Sequence, residues 1–190
     1  MKALVVNCTL KASPEPSNTE ALAAVVAERL SEHEVEVDFV RAVDLPLVPG
    51  VVTDGGDGDE WPRVHAQLLE SEILIIASPT WLGRPSSVAQ RVLERMNAMM
   101  SETDDENRPV AYNRVARVVV TGNEDGAHHV ISEISGASRT SATRFPARRG
   151  RTGTWDPVRG PTTWTSSGAA SGRTTPGVPW PTTSSASHGP

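Results

Sequence analysis

The chain reads as an α/β protein built on a doubly wound parallel sheet. Three observations lead there. Short apolar runs of the buried-strand type recur through residues 1–136. Stretches with helical spacing separate them. Three of the strands run out into loops rich in hydroxyl, Pro and Gly residues, where open parallel sheets place their ligands.

The elements follow in order. Lys2 to Asn7 holds Ala-Leu-Val-Val, a buried strand. Asn18 to Ser31 is helical, with Leu22, Val25, Val26 and Leu30 at helical spacing and Ser17 or Asn18 as the N-cap. Val35 to Val40 alternates apolar and acidic residues and suits a strand near a sheet edge. A Gly/Asp loop, 54–59, precedes a helix from Glu60 to Ser71, which Asp59 can cap and whose first turn tolerates Pro62. Glu72 to Ala77 is the most apolar run and the central strand. Ser86 to Ser101 is an amphipathic helix with Ala89, Val92, Leu93, Met96 and Met100 on one face. Arg114 to Thr121 is a further strand, and Gly126 to Ser135 starts another helix. Strands alternating with helices imply right-handed crossovers.

Composition narrows the function classes. No apolar run approaches the ~20 residues of a membrane span. The start, Met-Lys-Ala-Leu-Val-Val, reads as a strand and not a signal peptide. Cys8 is the only cysteine, so a disulfide framework is excluded and a cytoplasmic location is expected. The net charge of -5 is uneven: residues 1–136 carry -11 and the remainder +6. The first part is therefore expected to bind nucleic acid poorly.

Three loops carry the candidate chemistry. The first, 7–19, supplies Thr9, Ser17, Asn18 and Thr19 at a helix start, where free N–H groups and the dipole suit a phosphate. It has neither the Walker nor the G-x-G-x-x-G pattern. An ordinary turn rich in capping residues reads equally well. The second, Ser-Pro-Thr-Trp-Leu-Gly over 78–83, sets an aromatic between Pro and Gly. Trp81 there can press on a flat ring or simply pack. The third, Thr-Gly-Asn-Glu-Asp-Gly over 121–126, allows close backbone approach at its glycines. His128 and His129 follow, but adjacent helical residues point in different directions, so a solvated or capping role outweighs metal binding.

Taken together, the three loops in this order resemble the NADPH-dependent FMN reductase branch of the flavodoxin-like superfamily. The likeness covers about residues 2–136 and is most specific from Ser78 to Gly83 and along the Gln90–Met96 helix. The first loop carries Asn7-Cys8-Thr9-Leu10-Lys11 where a Gly-Ser-x-Arg type is usual. The resemblance implies that Thr9, Ser17, Asn18 and Thr19 hold an FMN phosphate. It implies that Pro79, Thr80, Trp81, Leu82 and Gly83 run along the ring and ribityl chain, and that Gly122, Asn123 and Gly126 close the other side. It further implies FMN as cofactor, NAD(P)H as co-substrate, a small electron acceptor as partner, and a homo-oligomer where the domain is complete. The flavin carries the chemistry, so no catalytic residue and no metal ligand is assigned. A flavodoxin-type electron carrier and a non-catalytic remnant stay open beside the enzyme.

After Gly136 the chemistry changes. Residues 137–190 contain no Leu, Ile, Met, Lys, Glu, Asn or Gln. Three scattered Trp, one Phe and two Val offer neither a strand face nor a helix stripe. The chain therefore divides into 1–136 and a low-complexity, disordered or out-of-frame tail, 137–190. The tail is expected to add no strand, so the fifth strand and last helix of the fold would be missing and the edge near Val118 to Val120 left open. Codon arithmetic favours a frameshift near codon 137. Read one base earlier, Ser138, Ser141 and Phe145 give codons with a middle T, and the run permits Leu-Ala-Asp-Ile-Gly-Tyr-Thr-Val-Pro. Sequencing the DNA across that codon is expected to reveal an inserted or deleted base; an intact frame would rule the frameshift out.

Overall fold

The strands pair as their apolar character dictates. The structure is a computed structural model that describes residues 1–140, 152–156 and 160–165. Strands β1 (Lys2–Asn7), β3 (Ile73–Trp81) and β5 (Val115–Thr121) form a parallel centre, and β2 (Glu36–Arg41) flanks β1 at one edge. A two-residue strand, β4 (Arg84–Pro85), turns back antiparallel on the end of β3. Two later strands, β6 (Thr152–Asp156) and β7 (Gly160–Thr165), complete the order β2-β1-β3-β5-β6-β7. Helices α1 (Asn18–Ser31), α2 (Trp61–Glu70), α3 (Ser87–Met96) and α4 (Ala127–Thr140) lie between them in sequence.

Successive strand residues feed different cores, because side chains alternate across a sheet. Leu4, Val6, Leu74, Ile76, Val118 and Val120 join a large cluster with Trp61, Val64 and Leu68 of α2, Val92 and Met96 of α3, and Val130 and Ile134 of α4. Val5, Ile75, Ala77 and Val119 join a smaller cluster with Ala23 of α1. The sheet is thus covered on both faces, which is why its central strands read as continuous apolar runs.

Four expectations need correction. On α1 the buried stripe is Thr19, Ala23 and Ala27, while Leu22, Val26 and Leu30 are half-buried and Val25 is exposed. Small residues at i and i+4 let the helix lie close on the sheet, and larger ones flank the contact. The α3 pattern placed Met100 inside, yet Met99 is buried and Met100 exposed. The chain tightens from α3 into a 3₁₀ turn over Asn97–Ser101, so the inward position falls three residues after Met96 instead of four. Strand β3 continues four residues beyond Ala77, because Thr80 and Trp81 pair with Pro85 and Arg84. The tail does add strands: β6 lies beside β5 through Val120 and Thr152, and β7 pairs with β6. Val118 to Val120 are buried. Strand pairing draws on backbone hydrogen bonds and β-branched Thr residues, so it needs no apolar stripe. The expected disorder at 141–151, 157–159 and 166–190 falls outside the described residues.

A buried ion pair organises the loop between β2 and α2. The side chains of Asp59 and Arg95 are both fully buried, 2.5 Å apart. Arg95 also donates to the carbonyls of Val48 and Thr53 and lies over the Trp61 ring. Asp59 accepts from the N–H groups of Val48, Gly55 and Trp61. Its bond to Trp61 performs the expected capping of α2, although Glu60 occupies the N-cap position. Burial pushes the Asp59 carboxyl up. The three N–H donors and the Arg95 guanidinium outweigh it and hold the carboxyl below its ordinary 3.8.

Asp59→Ala leaves Arg95 buried without its counter-ion, and removal of one partner from such a pair costs about 3–5 kcal/mol. Urea unfolding at neutral pH is expected to show a loss of that order. The native carboxyl sits below its unfolded value, so its contribution is present above the ordinary 3.8 and is lost as the pH falls through the lower native value. Asp59→Asn is therefore expected to flatten the acid limb of the stability profile.

Candidate functional site

The parallel strands bring three loops to one edge. Asn7 ends β1, Thr121 ends β5, and Pro79 stands opposite Thr121 in β3. Between them opens a cleft of about 240 Å³ lined by Thr9, Leu10, Lys11, Ser17, Asn18, Thr19, Pro79, Thr80, Trp81, Thr121, Gly122 and Asn123.

The first loop is held by its own turns and by β2. Asn7 Oδ1 accepts from the Thr9 N–H at 3.1 Å, and Thr9 Oγ1 accepts from Lys11. Arg41 donates to the Glu15 and Lys11 carbonyls and pairs with Glu20. Asp44 accepts from the Ser13 hydroxyl at 2.6 Å and its N–H at 2.9 Å. Those two bonds, with Arg41 nearby, hold the Asp44 carboxyl below its ordinary value. Ser17 caps α1 by accepting from Glu20 N–H. The N–H groups of Asn18 and Thr19 precede the first intrahelical bond and stand at the positive end of the helix dipole.

The second loop is a tight hairpin. Leu82 and Gly83 have φ of +51° and +74°, the sign that a two-residue primed turn demands at both central positions. Trp81 is half exposed beside the cleft and Leu82 is almost wholly exposed. A serine relay ties this loop to the first. Ser86 Oγ donates to the Cys8 carbonyl at 2.6 Å and accepts from Ala89 N–H, capping α3. Ser78 Oγ accepts from Ser86 N–H and donates to the Pro79 carbonyl. Thr80 Oγ1 is buried without a hydrogen-bond partner among the described residues.

The third loop closes on the second at two glycines. A Cβ on Gly122 would overlap Thr80 Cγ2, so the glycine leaves room for that methyl. Gly126 has φ of +120°, and a Cβ there would strike the Gly83 backbone. Glu124 accepts from Gly83 N–H. His129 and Arg84 both pair with Glu133. Among the described residues no group of three or more His, Cys, Asp or Glu is placed to hold a metal ion.

Nine of the twelve residues singled out in sequence thus line one cleft: Thr9, Ser17, Asn18, Thr19, Pro79, Thr80, Trp81, Gly122 and Asn123. Leu82, Gly83 and Gly126 do not line it; they form the turn and the backbone contact that join the second and third loops. Leu10, Lys11 and Thr121 line it as well and were not singled out. Thr121 is the last residue of the β5 run, so its place at the strand end was the available signal. The cleft has the shape and donors for a phosphate at the α1 end and a flat ring at the Trp81 end, and Thr80, whose buried hydroxyl has no partner among the described residues, is one of its lining residues.

The family model described as NADPH-dependent FMN reductase matches residues 1–139. A Mycobacterium bovis protein named divalent metal cation transporter MntH is 41% identical over 138 residues, 70% of this chain and 20% of that protein. The 8-demethyl-8-aminoriboflavin-5′-phosphate synthase of Streptomyces davaonensis is 34% identical over 143 residues, 70% of this chain and 56% of that enzyme. The chain therefore spans a fifth and just over half of these two curated relatives. Among the described residues no helix is long and apolar enough to cross a membrane. The structure of RosB with bound 8-demethyl-8-formylriboflavin-5′-phosphate superimposes with a TM-score of 0.73 at 30% identity, covering 82% of this chain and 64% of RosB. An apo NADH:FMN oxidoreductase shares the fold, with a TM-score of 0.59 at 13% identity over 80% of this chain and 75% of that one.

Gly126→Ala combines a strained φ with contact against the Gly83 backbone, and such strain costs of order 1–3 kcal/mol. Thermal unfolding is expected to show a lower midpoint for it. Gly136→Ala, where a Cβ meets open space in α4, should leave the midpoint unchanged or raise it.

Proposed function

We propose that this chain, which belongs to the NADPH-dependent FMN reductase family, binds FMN in the cleft between its first and third loops and serves as a flavin-dependent oxidoreductase. The observation that carries the reading is the convergence of a helix N-terminus, a half-exposed Trp81 and a partnerless Thr80 hydroxyl on one cleft. When bound, FMN supplies the two-electron chemistry that takes reducing equivalents from NAD(P)H and delivers them to a quinone, a flavin or another small acceptor.

The chain's own residues do the positioning. Ser17, Asn18 and Thr19 hold the phosphate, with Thr9 beside them. Lys11 is the one basic side chain lining the cleft among the described residues, and by pairing with Glu15 it offsets that carboxylate beside the first loop. Pro79 and Trp81 give the ring an apolar wall, and Thr80 offers its hydroxyl. Gly122 and Asn123 bound the opposite side. Leu82, Gly83 and Gly126 fix the distance between the ring loops.

A second reading has the flavin phosphate transformed and not merely retained. It draws on the Streptomyces relative, named as an aminoriboflavin phosphate synthase. The mass of the flavin recovered after incubation with NAD(P)H and, separately, with dioxygen and an amine donor separates the two: an unchanged mass in both supports the oxidoreductase, and a changed one the second reading. Bleaching of bound flavin by NAD(P)H without a partner reductase separates the oxidoreductase from an electron carrier.

Titration of the apoprotein with FMN is expected to show saturable binding. Trp81→Ala should weaken it about fivefold, the loss of an aromatic contact worth roughly 1 kcal/mol. Thr19→Glu sets a carboxylate against the phosphate and should weaken it far more. Native FMN affinity in both variants would remove the cleft as the flavin site.

A further inference from the structure

The floor of the cleft carries a hydroxyl pair with one proton left over. Thr19 Oγ1, in the first turn of α1, lies 2.8 Å from Thr121 Oγ1, at the end of β5. Both residues are buried, and both line the cleft. Each hydroxyl has one proton to give and two lone pairs. The bond between them uses one proton, and either oxygen can be the donor. No other hydrogen bond to either hydroxyl is formed among the described residues.

The direction of that bond decides what the cleft offers. If Thr19 donates to Thr121, Thr19 turns only lone pairs toward an anion at the helix start. If Thr121 donates to Thr19, the Thr19 proton is free for the anion. An anion stabilises the second arrangement, and each bond in the chain from Thr121 to Thr19 to the anion polarises the next. Thr121 holds this position through the sheet register, opposite Pro79 of β3. The two strands therefore fix it while the helix start presents Thr19.

We propose that Thr121 is a positioning residue for the terminal phosphate: by donating to Thr19 it aims the Thr19 proton at that phosphate and so sets the preference for a phosphorylated flavin over its dephosphorylated form. The inference rests on the reading of the cleft as the FMN site. No proton leaves either hydroxyl; only the sense of the hydrogen bond is fixed.

The test compares FMN and riboflavin binding to the full chain and to three variants. Thr121→Val keeps the shape and removes the donor. The phosphate then loses the polarisation and aim that Thr121 gives the Thr19 proton, so FMN binding should weaken about fivefold, the order of one neutral hydrogen bond, while riboflavin affinity stays within about twofold. Thr121→Ser restores the hydroxyl and should restore the preference. Thr19→Val combined with Thr121→Val should lose no more selectivity than Thr19→Val alone, because the two act as one chain. An equal loss for FMN and riboflavin in Thr121→Val would reduce Thr121 to a packing role and overturn the inference, as would unchanged selectivity. Failure of the unaltered chain to bind either flavin would instead overturn the reading of the cleft, and the inference with it.

Discussion

Parallel pairing of β1, β3 and β5 is the constraint on which the rest depends. Parallel strands end on the same side, so the loops after Asn7, Trp81 and Thr121 converge whatever their sequences. The register then sets which residues meet. With Pro79 opposite Thr121, the latter's hydroxyl reaches Thr19, and Gly122 receives the Thr80 methyl. A slip by one residue would turn every side chain of β5 to the other face. The two-cluster core guards against it, since Val118 and Val120 belong to one cluster and Val119 to the other.

The proposed phosphate site sits in an acidic molecule. Residues 1–136 carry -11, so the long-range field opposes a phosphate. Beyond about 8–10 Å that field is screened by salt. Short-range donors therefore decide binding. The acids nearest the helix start are engaged elsewhere: Glu20 pairs with Arg41, and Glu15 pairs with Lys11. Arg41 thereby does two things, holding loop carbonyls and neutralising the carboxylate in the first turn of α1.

The sheet was readable in sequence because Ala-Leu-Val-Val and Ile-Leu-Ile-Ile are short, apolar and β-branched in ways only a buried strand uses. The loops were readable because hydroxyls and glycines cluster at strand ends. What escaped were features made by distant partners. Nothing near Arg95 announces that its head group lies fully buried on Asp59, thirty-six residues away. The choice between Met99 and Met100 turns on a change of helical pitch that no residue type marks. The β4 turn hides inside a loop, since Leu82 at positive φ is not a residue that advertises a primed turn. Strands β6 and β7 escaped because Thr and Gly serve as readily in loops, and only the neighbouring edge decides.

Cys8 sits at the root of the first loop, wholly buried, with its N–H bonded to the Ala77 carbonyl at 2.7 Å. Burial pushes its thiol well above the ordinary range, so the reactive thiolate is scarce. As the only cysteine in the chain, it makes the unlabelled protein its own clock. A thiol reagent gains access only when the packing around Cys8 opens, so the alkylation rate counts openings at the root of the first loop. Any occupant that bridges the first and second loops slows that count, whether or not it absorbs visible light.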